Sequence, residues 1–319
     1  MRLAIFRDSC YTDKIRHTLS GAEKPFRELI FSMKPYRTNR PAGFLIIIGI
    51  YIAASAVGIL LYRVLSFSFW LDLLIADVAA TVVTFAGSLL LKNASVYDPY
   101  WSVQPMVILL YAAGTKGLDP LRWLLLICVC LWGIRLTANW AYTFRDLEHQ
   151  DWRYTMLREK TGKLYPAVNF AGIHLFPTVV VYLCILPAVF AFHEQTAFNP
   201  LCILFFLVSV AATVLQGVAD WQMHKFRREI GRGFIRTGCW KYARHPNYLG
   251  EILMWWGVGL CVVCVMPQRW YLLAGALLNT LMFLVISIPM ADKRQSAKAG
   301  FEEYRQTTHM LLPFKKKVR

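Results

Sequence analysis

Seven apolar runs, near residues 41–62, 69–91, 121–141, 171–192, 200–220, 247–266 and 270–290, are each long enough to cross a bilayer as a helix. A span takes about 20 apolar residues, and inside hydrocarbon every backbone polar group must be satisfied within the segment. A shorter run from Ser102 to Gly114 makes an eighth span. The loops between them are short, and there is neither an internal repeat nor a low-complexity stretch. These features leave an all-α, polytopic transmembrane helix bundle as the expected fold. The composition, 57% hydrophobic and only 17% charged, excludes a soluble globule. The chain divides into a cytoplasmic N-terminal segment (1–40), a first span with its loop (41–68), a membrane domain (69–314) and a basic tail (315–319).

The net charge of +16 is best read by position. Lys and Arg crowd the first 40 residues, the 142–163 loop, the 222–246 loop and the tail Lys315 to Arg319. The alternate loops carry few: Arg63, then Lys116 and Arg122, then none in 193–199, then Arg269. Such alternation fits the positive-inside rule with eight spans and both termini cytoplasmic. The expected membrane is the bacterial cytoplasmic membrane, or the endoplasmic reticulum in a eukaryote. Nucleic acid is not needed to explain the charge. Membrane lipids are the expected contacts, and a monomer is the expected state. No apolar core follows the basic residues of 1–40, so no secretory signal is expected. Lys316-Lys317 would match a dilysine retrieval signal in a eukaryote, although a positive-inside tail explains it equally well. Most cysteines sit inside spans as small apolar residues. Cys261 and Cys264 have C-x2-C spacing without a second Cys/His pair nearby, so no metal site is expected.

Five stretches carry polar residues that membrane burial does not explain. Tyr97-Asp98-Pro99-Tyr100 opens the short third span, where Asp98 would either cap the helix or act as an acid flanked by tyrosines. Arg135 lies well inside the fourth span and needs a partner there. Asp98 is the expected one, with Asn139 assisting one turn along. Asp151-Trp152-Arg153-Tyr154 reads as a ligand lid or an interfacial aromatic anchor. Gln216, Asp220, Gln222 and His224 follow one another at near-helical spacing, and Arg228, Arg232 and Arg236 come next among Gly231, Gly233 and Gly238. Arginine forks with glycines beside them suit phosphate oxygens, and equally suit lipid headgroups. Last comes Thr237 to Glu251, a polar cluster between two spans that contains Trp240, Tyr242, Arg244, His245 and Asn247. It is either a topogenic loop or one wall of a pocket for an anionic ligand. The chain has no Walker loop, no GxGxxG between strand and helix, no GxSxG and no HExxH.

In order along the chain, "YDPYWS", "LWGIRL", "DWRY", "GVADWQMHKF", "TGCWKYARHPNYLGE", "WWG" and "FEEYRQTTHMLLPF" give residues 70–314 a specific resemblance. They resemble the steroid 5-alpha-reductase superfamily, in its branch of uncharacterised membrane proteins called DUF1295. Residues 1–68 look like an addition to a seven-span core. The resemblance implies NADPH-dependent reduction of a carbon–carbon double bond conjugated to a carbonyl in a lipid- or steroid-like substrate. It places Asn247 and Glu251 in the family's cofactor-binding Asn-x-x-Gly-Glu stretch. Asp220 or His224 falls near its polar helix residues, with the register open by a few positions. Arg232 and its neighbours fall in the phosphate loop, and Asp292 to Arg294 and Tyr304 at further cofactor contacts. At the substrate end the steroid reductases use a Glu and a Tyr. Asp98 stands for the Glu, while Trp132 occupies the Tyr position. Tyr97, Tyr100 or Tyr142 would then substitute, or the reaction differs. The expected catalytic group is Asp98 with Tyr97, Tyr100 and Arg135.

Two other readings stay open. Arg244-His245-Pro246-Asn247-Tyr248 also matches membrane isoprenylcysteine and phospholipid methyltransferases, which use S-adenosylmethionine. A non-catalytic lipid-binding protein is the third.

Overall fold

The computed structural model describes residues 34–194 and 197–313. The N-terminal segment before 34 and the tail with Lys316-Lys317 lie outside the described residues. Eleven helices are named here: α1 (Arg40–Val64), α2 (Phe69–Leu90), α3 (Tyr100–Lys116), α4 (Pro120–Thr143), α5 (Trp152–Thr161) and α6 (Phe176–His193), then α7 (Leu201–Glu229), α8 (Pro246–Val263), α9 (Ala274–Met282), α10 (Ile288–Gln295) and α11 (Phe301–Thr307). All eight apolar runs are helical. Six helical stretches, some made of joined helices, are long and apolar enough to span a membrane. The other two runs form α3 and α8, of 17 and 18 residues. The architecture is the expected all-α polytopic bundle.

Local chemistry sets the boundaries. Asn39 Oδ1 accepts from the Ala42 amide at 3.0 Å and Pro41 lies in the first turn of α1. Asp119 does the same for Arg122 at 2.9 Å, with Pro120 at the first position of α4. Proline loses nothing there, because the first-turn amides have no intrahelical acceptor. Gly117, at φ 75°, ends α3 in a conformation that disfavours any side chain.

Small residues set how closely the helices approach. A Cβ on Gly250 of α8 would lie 2.6 Å from the Ala212 carbonyl of α7, and one on Gly133 of α4 would lie 2.7 Å from the Ser102 carbonyl of α3. Backbones therefore meet almost directly at both crossings, as in other membrane bundles. Ser102 and Thr137 join hydroxyls at 2.8 Å across the second crossing.

The main core gathers Trp132, Ile185, Met254 and Trp255 at the meeting of α4, α6 and α8. A second cluster of Ile47, Tyr51, Ala54, Tyr97 and Tyr100 holds α1 and α2 against the start of α3. The bundle has two distinct ends. At the basic end, the Leu147 amide meets the Arg37 carbonyl and Arg40 reaches the Ala141 carbonyl. At the opposite end, Arg269 pairs with Glu194 at 2.6 Å and Arg122 with Asp119 at 3.1 Å.

Candidate functional site

The interior of the bundle holds a polar network strung between α4, α7 and α8. Arg135 of α4 donates to Asp220 Oδ2 at 2.8 Å and to Gln216, both on α7, and stands 3.9 Å from Glu251 of α8. Asn247, at the start of α8, donates to the other Asp220 oxygen at 3.3 Å. Glu251 is buried and accepts two indole N–H groups, from Trp132 at 2.8 Å and Trp255 at 3.0 Å. Helical spacing makes this possible, since Gln216 and Asp220 sit one turn apart, as do Asn247 and Glu251. Arg135 Nε and Gln216 Nε2 remain buried without a hydrogen bond.

The expected partnership of Arg135 with Asp98 is thus corrected. Arg135 faces α7, and Asp220 reaches it first. Asn139 does not assist either; its carboxamide oxygen meets His224 Nε2 at 2.6 Å. His224, with Tyr142 and Arg227, lines a shallow recess at the basic end.

Towards the basic end the chain closes over the network. Arg244 donates to Asp292 at 3.0 Å and to the Arg305 and Thr308 carbonyls. His245 meets the other Asp292 oxygen at 2.9 Å and stacks on Tyr248. The Trp240 indole donates to the Ala219 carbonyl at 3.0 Å, Tyr304 to the Trp240 carbonyl, and the Cys239 amide to Gln222 Oε1 at 2.8 Å. Burial pushes the Tyr304 hydroxyl up to about 12, which keeps it a donor. These residues fasten the 230–245 loop and α11 to the bundle. Gln222, Trp240, Arg244 and Tyr304 thus spend polar groups on the fold itself, and Tyr242 is half exposed to solvent.

Beside this closure lies a group of exposed cations. Arg227, Arg294 and Lys298 are within electrostatic range of one another. Among the described residues none of the three forms an ion pair. Burial, together with the Arg294 and Arg227 charges, holds the Lys298 ammonium below its ordinary value. Lys298 donates to the Gly233 carbonyl at 2.6 Å, and Arg294 stacks over the Trp152 ring at 4.3 Å. Gly231 and Gly233 both have positive φ, at 69° and 78°. Arg228 and Arg232 are exposed, and Arg236 lies over the Phe234 ring.

Asp98 forms a separate group. Its backbone closes the one-turn helix Ala94–Tyr97 and Pro99 precedes α3, so the Asp98 carboxylate does not cap α3. The carboxylate instead accepts from Tyr154 Oη of α5 at 2.5 Å. Burial lifts the Asp98 carboxyl to about 6 against the opposing charge of Arg153. The tyrosines expected beside it are engaged elsewhere. Tyr97 meets Thr178 at 2.8 Å, and the Tyr100 hydroxyl has no hydrogen bond. Asp98, Tyr97, Tyr100 and Arg135 are therefore not one constellation. The tyrosine on Asp98 belongs to "DWRY", which the lid reading of that stretch had already brought near a ligand. Tyr248 bridges the two regions, within electrostatic range of Arg153 and Asp151 on one side and of Asp220 and Asp292 on the other.

Fold and site together define a multi-pass helical membrane protein with an ion-paired interior and a cationic mouth. Residues 84–308 match the family described as "Protein of unknown function (DUF1295)", and the chain belongs to that family. An uncharacterized protein of Schizosaccharomyces pombe is 26% identical over 204 residues, covering 54% of this chain. This chain spans 58% of that relative's length. No solved structure matches the chain.

Proposed function

We propose that the protein is an integral-membrane oxidoreductase that uses NADPH to reduce a conjugated carbon–carbon double bond in a lipid- or steroid-like substrate. The observation that carries this reading is the unpaired cation group Arg227, Arg294 and Lys298, set beside the polar interior of Arg135, Asp220, Asn247 and Glu251. The resemblance of the motifs to the steroid 5-alpha-reductase superfamily supports it. Three unpaired cations with two left-handed glycines beside them suit a ligand bearing several phosphates. Two buried donors without acceptors, on Arg135 and Gln216, suit a polar group reaching further inward.

In this reading Arg227, Arg294 and Lys298, with Arg228, Arg232 and Arg236, hold the phosphates on the cytoplasmic side. Asn247, Asp220 and Glu251 face the remainder. NADPH supplies a hydride when bound, and the protein supplies orientation, charge and exclusion of water. Asp98, with its carboxyl raised to about 6, keeps a proton in weakly acidic surroundings. Asp98, held by the Tyr154 hydroxyl, then hydrogen-bonds the substrate carbonyl oxygen as negative charge develops on it. Trp132 stands where a tyrosine would touch the substrate, but its N–H is committed to Glu251. Tyr154 donates its hydroxyl to Asp98 and so positions the acid.

Thermal unfolding of the purified protein with NADPH, NADH or S-adenosylmethionine tests the reading. A selective rise with NADPH is expected, since a ligand of the folded state stabilises it by mass action. A rise with S-adenosylmethionine alone overturns it in favour of methyl transfer. Arg232→Ala or Asn247→Ala should weaken the NADPH effect, whereas Asp98→Asn should leave it intact and lower turnover.

A further inference from the structure

Three carboxylates are buried among the described residues: Asp72, Asp77 and Glu251. Asp72 accepts the Phe67 amide at 3.1 Å, and Glu251 accepts two indoles. Asp77, in the middle of α2 and only 4% exposed, has no hydrogen bond at either oxygen. A bare carboxylate at that depth is costly, and such residues in membrane proteins mark ligand or ion sites. It faces a half-open cavity of about 250 Å³ lined by α1, α2, α3 and α6. Tyr100, also 4% exposed, and the half-buried Gln104 stand on α3 within interaction range of Asp77, yet neither Tyr100 Oη nor Gln104 Nε2 completes a hydrogen bond of ordinary geometry. The rest of the lining is mostly apolar, including Gly58 and Ile59 of α1 with Val107 and Ile108 of α3.

A single water occupies roughly 30 Å³, so one bridging water would leave most of this cavity empty. The polar inventory is specific. Asp77 presents acceptors, Gln104 Nε2 presents donors, and the Tyr100 hydroxyl can donate. A hydroxyl can pair with the Asp77 carboxyl whether that group carries its proton or not. A hydroxyl answers all three, donating once and accepting twice. We propose that the cavity binds a membrane-dissolved lipophilic alcohol, its hydroxyl held by Asp77, Tyr100 and Gln104 and its apolar body against α1 and α3. The site is separate from the interior network and does not depend on the reductase reading. Asp77 and all of α1 lie outside residues 84–308, whereas Tyr100 and Gln104 lie within them, so the site is shared between the two parts of the chain.

Photo-crosslinking in lipid nanodiscs tests it, with a diazirine- and alkyne-bearing analogue of tetradecanol as the probe. Labelling is expected to saturate and to map to α1 and α3. Tetradecanol should compete, while its methyl ether, which has no proton to donate, should compete about tenfold less well. Asp77→Leu should lower labelling by a similar factor. Gln104→Leu carries the same test should Asp77→Leu fail to fold. Equal competition by alcohol and ether overturns the proposal, as does labelling unchanged in both variants. Either result would mean a crevice that takes any chain, with water on the polar groups.

Discussion

Glu251 and Asp77 are buried to the same depth in this bundle, at 5% and 4% exposure, and the chain treats them in opposite ways. Glu251 is enclosed by two indole N–H groups and lies 3.9 Å from the Arg135 guanidinium. Asp77 faces open space with both oxygens bare. One carboxylate has its own oxygens satisfied within a network that ties α4, α7 and α8 together, and its removal should damage the fold. The other is surrounded by a cavity and by two more unpartnered polar groups. Its removal should cost the fold nothing. Burial alone therefore does not separate structural charge from ligand-directed charge, whereas satisfaction of the polar atoms does.

The sharpest way to break this contrast is at Arg135. Arg135→Leu strips Asp220 of its charged partner and leaves Glu251 without its nearby cation. Breaking a buried pair on one side costs roughly 3–5 kcal/mol, because an uncompensated charge stays behind. Thermal unfolding in detergent should show a large loss of stability or no folded protein. An Arg135→Leu variant as stable as the parent would mean that the network is no more structural than Asp77.

Trp132→Phe is the next test. It keeps an aromatic ring in a fully buried site but removes the 2.8 Å donor to Glu251. A lost hydrogen bond to a buried carboxylate, with the small void left by the ring, costs about 2–3 kcal/mol. In a Glu251→Gln background the cost should shrink, and an undiminished cost would assign the effect to packing alone.

Asp98 sharpens the comparison from a third position, because it is partly wetted and accepts from Tyr154. Its carboxyl is raised from 3.8 to about 6, with burial the largest cause. An acid raised on folding binds its proton more tightly in the folded state. The stability it contributes is complete below about pH 4 and is lost as the pH rises through about 6. Residual solvent contact reduces the swing, leaving about 1–2 kcal/mol. The unfolding temperature of the parent should fall across that window, and the fall should lessen in Asp98→Asn. An identical pH profile in the two proteins would refute the assignment.

How far the site could be read in advance follows from what spacing does and does not encode. Apolar runs place the helices because their length is set by the bilayer, and the structure has a helix at each of the eight. Arg135 declares its need for a partner from its position in an apolar run. Periodicity tells which face it lies on but not which helix passes that face, so Asp98 was expected where Asp220 stands. The same gap explains Tyr154, three residues into a different helix, as the hydroxyl on Asp98 in place of Tyr97 or Tyr100. Asp77 was legible by the rule that singled out Arg135. It was absorbed into the count of spans because two acids, Asp72 and Asp77, barely alter the hydropathy of the 69–91 run.

The smallest expected effect has the opposite sign. Replacing Asp77 by leucine removes two unsatisfied oxygens from the membrane interior and fills part of a cavity with an apolar group. Leaving a buried polar group unpaired costs about 1–3 kcal/mol, and some of that returns when the group is removed. The cavity can admit water, which lowers the recoverable part, so a gain of about 1 kcal/mol is expected. Unfolding of Asp77→Leu in nanodiscs, beside Arg135→Leu in the same lipid, should move the two midpoints apart in opposite directions. A loss of stability at Asp77 comparable to that at Arg135 would mean that Tyr100 and Gln104 already satisfy the carboxylate in the membrane. The distinction between the two buried carboxylates would then collapse. A gain would mark Asp77 as a group the fold tolerates rather than needs, and that is the expected behaviour of a residue held ready for a ligand.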